Sequence, residues 1–405
     1  MTVYGEVAPG FEPVHLAFAK GQALDPGGAQ LAVYQGGVKV VDLWTGNDPI
    51  RGRAYDANGF GILMSATKAL TATVVHLLSE RGDIDIDAPV CNYWTEFAQN
   101  GKSNITIKMV LMHTSGCCAF PVESGIVVRE VLDLPRVIRC LEEMAPFWEP
   151  GTRMLYAPYT YGFILGEVVH RITGKTIGTV FREEIASPLD LNLWIGGFPE
   201  DKEAAFVPSM PRIPQFASPD KSGTGSNPVP SQPVLDMSNP LVAAYVAPLS
   251  TTDTPAFLNT REAHVAEIPA ANGIGDARSL AKFYAHLIGE VDGKPRILKK
   301  ETLQRVTKTQ TDGIPTASPF ELLYKLDSFR IALGYEKRCQ SGQPMIGESS
   351  FGHAGSGGRL GFADIESDLA VAYICNNPLW TFGTPDSRWM PWMEELQKIA
   401  LEGTK

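Results

Sequence analysis

The chain contains no run of lysine or arginine, and its formal net charge is -10. Both features argue against a nucleic-acid partner. It has no apolar stretch long enough to span a bilayer, so no membrane association is expected. The N-terminus, Met1-Thr2-Val3-Tyr4-Gly5-Glu6, lacks a basic segment followed by an apolar one. No secretory signal is read there, and a cytoplasmic location is expected. The cysteines, Cys91, Cys117, Cys118, Cys140, Cys339 and Cys375, form no C-x-x-C pair and no Cys/His cluster with zinc spacing. They are expected to be buried reduced thiols, and neither a metal nor an organic cofactor is implied. Nothing in the sequence indicates an oligomeric state. A Gly-x-Ser-x-Gly elbow is also missing around Ser356, which follows Ala354-Gly355, so an α/β-hydrolase has no support.

What is present suits a folded protein with a sizeable core: 405 residues, 44% hydrophobic and 20% charged. The most informative stretch runs from Gly61 to Gly82. Small and apolar residues from Ser65 onward predict a buried helix, stopped by Gly82. Ser65 sits in its first turn and Lys68 lies three residues on, which puts hydroxyl and ammonium on one face. A lysine among Ala, Leu and Val loses solvation, so its pKa falls and it can act as a base. Backbone N–H groups at a helix start can hold a developing oxyanion. The pair by itself is weak evidence, because Ser-x-x-Lys arises by chance in most long chains.

Taken in order, residues 9–22 predict an amphipathic helix, and 29–34 with 38–46 a β-hairpin about Gln35-Gly36-Gly37. Helices are expected over Ile105–Gly116, 133–144, 160–173 and 176–187. The segment 199–255 is rich in Pro, Ser and Gly and reads as a lid or pocket wall. Regular structure resumes with a helix from Ala277. Three antiparallel strands follow at 350–355, 360–364 and 369–377, and a closing helix at Met390–Leu401. The expected fold is α/β (α+β), an antiparallel sheet flanked by helices. Residues 1–60 and 270–405 would form the sheet lobe, 61–198 an inserted, mainly helical lobe, and 199–269 an irregular segment.

Three motifs make a specific set: Ser65-Ala66-Thr67-Lys68, Tyr156 after Pro150-Gly151-Thr152-Arg153, and His353-Ala354-Gly355-Ser356-Gly357-Gly358 on a late strand. Val110-Leu111-Met112-His113-Thr114-Ser115-Gly116 adds a fourth. Together they resemble the penicillin-recognising serine hydrolases: class C β-lactamases, D,D-peptidases and family VIII carboxylesterases. The resemblance covers roughly residues 10 to 380. It implies a β-lactamase/D,D-peptidase-like fold, with Ser65 as nucleophile and Lys68 as base, alone or shared with Tyr156. It places the oxyanion between the backbone N–H groups of Ser65 and Ser356. His353, Ala354, Gly355 and Gly357 would line the substrate site, the glycines allowing close approach. Tyr159 and Trp194 are candidates for its walls or plain core, and His113 reads as structural.

The departures bear on substrate. The family's Tyr-x-Asn becomes Tyr156-Ala157-Pro158, and Ala354 replaces a hydroxyl-bearing residue. Loss of these polar groups argues against a dedicated β-lactamase. The expectation is a carboxylesterase for small or medium acyl esters. A peptidase or amidase on short linear or D-residue-containing peptides, an acyltransferase and a non-catalytic scaffold remain compatible.

Overall fold

The computed structural model describes residues 2–211, 236–246, 254–322, 329–339, 345–379 and 385–403. The strands are β1 (Val3–Val7), β2 (Gly28–Gln35), β3 (Val38–Asp48), β4 (Arg53–Ala54), β5 (Gly61–Ile62), β6 (Leu193–Ile195), β7 (Gly273–Gly275), β8 (Glu336–Lys337), β9 (Ser350–Gly355), β10 (Arg359–Asp364) and β11 (Leu369–Cys375). The helices are α1 (Glu12–Gln22), α2 (Thr67–Arg81), α3 (Ile107–Leu111), α4 (Leu134–Glu143), α5 (Thr160–Thr173), α6 (Ile177–Phe181), α7 (Pro240–Val246), α8 (Thr254–Leu258), α9 (Arg261–Val265), α10 (Ala277–Ile288), α11 (Lys300–Val306) and α12 (Met390–Gly403).

The main sheet is antiparallel and runs β1-β3-β2-β11-β10-β9-β8, with β4 paired to β3. The β2–β3 hairpin turns on Gly36 and Gly37, whose φ angles of +57° and +75° suit glycine. β2 pairs with β11 from Ala29↔Cys375 to Gln35↔Leu369, so the two ends of the chain meet in mid-sheet. Alternation then sends side chains of one strand to opposite faces. One face buries Leu31, Val33, Val371 and Tyr373 under α1 and α12, where Phe18 and Trp392 pack. The other buries Ala32, Ala370, Ala372 and Phe351 against α10 and the larger core that includes α2 and α5. A second small sheet, β5-β7-β6, joins the segment before α2 to residues 193–195 and 273–275.

Most expected elements form near their predicted limits because their stop signals are strong. Gly82 and Gly174 end α2 and α5 in the left-handed conformation, at φ 86° and 71°. Four expectations need correction. Ser65 precedes α2 in a 3₁₀ turn, Met64–Ala66. The helix expected over 105–116 is only α3, because the chain turns left-handed at His113, with φ 59°, before reaching Gly116. The helix over 176–187 is a single turn of α6 followed by a π-helical turn at Arg182–Ala186. The segment 199–269 is also less irregular than its composition implies, since α7, α8, α9 and a 3₁₀ stretch at Glu200–Ala205 lie within it. The expected lid over 199–255 falls largely on 212–235 and 247–253, outside the described residues. Among the described residues no helix is long and apolar enough to cross a membrane, and no group of His, Cys, Asp and Glu could hold a metal ion.

Candidate active site

Met64 has φ 50°, an unfavourable angle for a side chain of its size, and it sets the backbone immediately before Ser65. Gly273 of β7 ties this turn down from both ends. Its carbonyl accepts the Leu63 N–H at 2.7 Å, and its N–H donates to Thr67 Oγ1 at 2.8 Å. Thr67 Oγ1 in turn donates to the Met64 carbonyl at 2.6 Å. A Cβ on Gly273 would press on that hydroxyl, so the glycine is required by proximity.

Lys68, one turn on, is fully buried. Its Nζ donates to the Pro158 carbonyl at 2.9 Å and the Ala270 carbonyl at 3.0 Å, and lies 3.5 Å from Ser65 Oγ. Burial holds its pKa well below the usual ammonium range, with Glu336 pulling the other way. A neutral amine has two N–H donors and one lone pair. In the neutral form the two carbonyls would take both donors, which leaves the lone pair for the Ser65 hydroxyl.

Tyr156 lies over Lys68, whose Nζ is 4.6 Å from its ring centroid. The ring is framed by His113 at 4.8 Å, Phe329 at 5.3 Å and His353 at 6.0 Å. His353 is buried on β9. Its Nδ1–H donates to the Ala354 carbonyl at 2.7 Å, which leaves the lone pair on Nε2, buried without a hydrogen-bond partner among the described residues. Burial and the Lys68 charge push its pKa down to about 3, so it is neutral. Glu336 on β8 completes this wall. It accepts the Ala354 N–H at 2.8 Å and lies 3.5 Å from His353 Nδ1. Burial pushes its carboxyl up to about 8.

Gly355 ends β9 against the segment before Ser65. A Cβ there would collide with the Leu63 carbonyl and crowd Met64. Ser356 follows directly and is partly exposed, as are Ser65 and Tyr156. The structure therefore brings Ser65, Lys68, Tyr156, His353, Gly355 and Ser356 together from three distant stretches of chain.

Other expected site residues sit elsewhere or act differently. Ala354 turns to the opposite face of the sheet, toward the cluster under α1 and α12, because side chains alternate along a strand. The close neighbours that require glycine at 357 are Arg359 and Pro378. Trp194 is core: it is 4% exposed, packs edge-on to Phe60 and Phe198, and lies under Arg182. Tyr159 is half-buried beside Pro158 and lines a small cleft with Phe120 and Tyr245.

Sequence reasoning missed the Pro158 and Ala270 carbonyls, which carry no side-chain signal. It also missed Glu336, which sits beside Lys337 and Arg338 in sequence and gives no sign there of being buried.

Comparison with known proteins identifies the family and the fold. The model of the β-lactamase family matches residues 18–389. The chain is 32% identical over 388 residues to the esterase/β-lactamase LipL of Mycobacterium tuberculosis, spanning 93% of this chain and 83% of that one. A family VIII carboxylesterase structure matches 98% of this chain and 100% of its own, with a TM-score of 0.80 and 27% identity. The structure of EstA from Arthrobacter nitroguajacolicus Rue61a matches the whole of both chains, with a TM-score of 0.81 and 27% identity.

Proposed function

The chain belongs to the β-lactamase family and is a serine hydrolase; we propose that it is a carboxylesterase acting on small or medium acyl esters through an acyl-enzyme on Ser65. The observation that carries this reading is the buried Lys68 amine, held by two carbonyls with Ser65 Oγ at 3.5 Å. A separation of 3.5 Å is long for a proton transfer, and such contacts tighten once substrate is bound.

In this reading Ser65 Oγ attacks the acyl carbonyl carbon while its proton passes to the Lys68 amine. The carbonyl oxygen becomes an oxyanion held by the backbone N–H groups of Ser65 and Ser356, each such donor worth roughly 2.7–4 kcal/mol. Collapse of the tetrahedral intermediate breaks the ester C–O bond. The proton reaches the departing alkoxide through Lys68 and Tyr156. Water then attacks the acyl carbon and gives up a proton to the same groups; the bond from that carbon to Ser65 Oγ breaks, the proton returns to Oγ and the acid leaves.

Preference for esters rests on Pro158. Where relatives that cleave amides present an Asn side chain, this chain presents a ring without a donor, and its carbonyl is committed to Lys68. An amine must be protonated as its bond breaks, whereas an alkoxide leaves with less help. The carboxylesterase structure is named for esters alone, while LipL is named as both an esterase and a β-lactamase. The missing hydroxyl at Ala354 no longer contributes, since that side chain faces away.

The test pairs p-nitrophenyl esters with anilides of the same acyl group, together with mass spectrometry after a fluorophosphonate probe. Esters should be cleaved far faster, and one adduct should appear on Ser65 and vanish in Ser65→Ala. Equal rates would replace the esterase with an amidase, and an unlabelled Ser65 would remove the nucleophile.

A further inference from the structure

The turn between β9 and β10, Ser356-Gly357-Gly358, has each of its carbonyls taken by a different buried side chain. Arg359 Nη1 donates to the Ser356 carbonyl at 3.0 Å, Arg388 Nη2 to the Gly357 carbonyl at 2.9 Å, and Trp389 Nε1 to the Gly358 carbonyl at 2.8 Å. The donors are 1%, 2% and 4% exposed. Three consecutive peptide groups pinned by side chains are far more than a surface hairpin turn requires.

The charges behind the turn are arranged unequally. Arg388 is balanced by Asp25 Oδ2 at 2.6 Å and by Asp386, whose oxygens lie 2.6 and 3.0 Å from it. Asp25 is itself held by the Gly27 N–H at 2.8 Å and Asn377 Nδ2 at 2.9 Å. Arg359 bonds to Ser209 Oγ at 2.8 Å with its other arm, and its charge faces no carboxylate among the described residues. A buried guanidinium without a counter-ion costs stability, and here it lies directly under the turn.

The turn fits tightly between two bodies. Gly357 and Gly358 have φ 84° and 107°, and a Cβ on either would strike Arg359 or Arg388. On the other side Gly355 abuts Leu63 and Met64, the residues before Ser65. Both peptide planes flanking Ser356 are hydrogen-bonded: the Gly355 carbonyl accepts the Gly358 N–H at 3.1 Å, and the Ser356 carbonyl is held by Arg359.

We propose that Arg359, Arg388 and Trp389 are positioning residues for oxyanion stabilisation, fixing the Ser356 N–H toward the reacting carbonyl and, through Arg359, adding positive potential beneath it. The role rests on the use of the Ser356 N–H proposed above. It assigns a function to the first residue of β10 and to the turn before α12, which lie far in sequence from Ser65. Preorganised donors of this kind act because they need no reorganisation when charge develops. A small misplacement is correspondingly expensive in rate.

The test uses Trp389→Phe, which removes one N–H, and Arg359→Gln, which removes the charge and keeps a donor. Each is assayed for kcat and KM on one p-nitrophenyl ester and for inhibition by a boronic acid that mimics the tetrahedral intermediate. Thermal melts report folding, and fluorophosphonate labelling of the wild type confirms Ser65. The expected result is a fall in kcat of up to about 10²-fold, a KM within twofold and a matching loss of boronic-acid affinity. If Arg359→Gln does not fold, Trp389→Phe carries the test. Wild-type kcat, a change confined to KM, or a loss of kcat without loss of boronic-acid affinity overturns the positioning role. Absence of label on wild-type Ser65 instead overturns the underlying hydrolase mechanism, so the two failures are distinct.

Discussion

His113 holds Tyr156 through the backbone on both sides of it. Its Nδ1 accepts the Ala157 N–H at 3.0 Å, and its carbonyl accepts the Leu155 N–H at 3.2 Å. The imidazole also lies 4.8 Å from the Tyr156 ring and stacks at 5.1 Å on Tyr161. Accepting at Nδ1 requires the neutral ring. Burial, with Lys68 and His353 nearby, keeps its pKa well below the ordinary histidine value.

His113→Ala should therefore lower kcat by about 10²-fold through misplacement of Tyr156, with a smaller effect on KM. His113→Asn, whose Oδ1 can accept in place of Nδ1, should recover part of the loss. Steady-state kinetics on both variants, with melting curves as the folding control, provides the measurement. Equal activity of the alanine variant and wild type would leave His113 with packing alone.

Lys68→Arg should lose at least about 10²-fold in kcat/KM at every pH tested. Arginine can keep the contacts to the Pro158 and Ala270 carbonyls that Lys68 makes. It cannot give up its proton, so it supplies charge without base function. Near-normal hydrolysis by this variant would make Lys68 an electrostatic partner and place the base elsewhere.

Glu336 predicts a decline in stability as pH rises. Its carboxyl is pushed from the ordinary 4.5 up to about 8 by burial, against the pull of the Ala354 N–H and Lys68. His353 Nδ1 at 3.5 Å also faces it. Between those two pH values the folded state binds a proton that the unfolded chain has lost. Stability present below the lower value is thus lost as pH rises through the upper one, at up to about 1.4 kcal/mol per pH unit. Glu336→Gln, which can still accept the Ala354 N–H, should flatten that slope between pH 6 and pH 8. Urea unfolding of both proteins would show it, and parallel slopes would contradict the assignment.

His76 predicts the opposite limb. It is buried in α2, with Nε2–H donating to the Leu333 carbonyl at 2.8 Å, and burial pushes its pKa from 6.5 down to about 4. Here the unfolded chain takes up the proton first. The stability is complete above the ordinary value and is lost as pH falls toward the lower one, a total on the order of 3 kcal/mol. His76→Gln keeps a donor for Leu333 and should lose less stability between pH 7 and pH 5. Chemical denaturation at the two pH values decides it; an equal loss in both proteins would assign the acid sensitivity to other groups.

Local signals determined much of this protein in sequence. The apolar run after Ser65 closed by Gly82, the hairpin about Gly36-Gly37 and the short strands from Ser350 to Cys375 each form where composition and turn signals place them. Ser65, Lys68, Tyr156 and His353 were legible as a set because their spacing and neighbours match a known pattern. Tertiary structure alone decided the rest, since it depends on which distant backbone comes close. The carbonyls of Pro158 and Ala270 accept hydrogen bonds from Lys68 Nζ, yet a carbonyl is common to every residue and leaves no mark in sequence. Strand alternation turned Ala354 away from the site while its neighbour His353 faces Tyr156. Burial among aromatic rings made Trp194 core. The grip of Arg388 and Trp389 on the Gly357 and Gly358 carbonyls arises only when the C-terminal segment folds back beneath β9 and β10, because hydrogen-bond partners this far apart in sequence are chosen by packing.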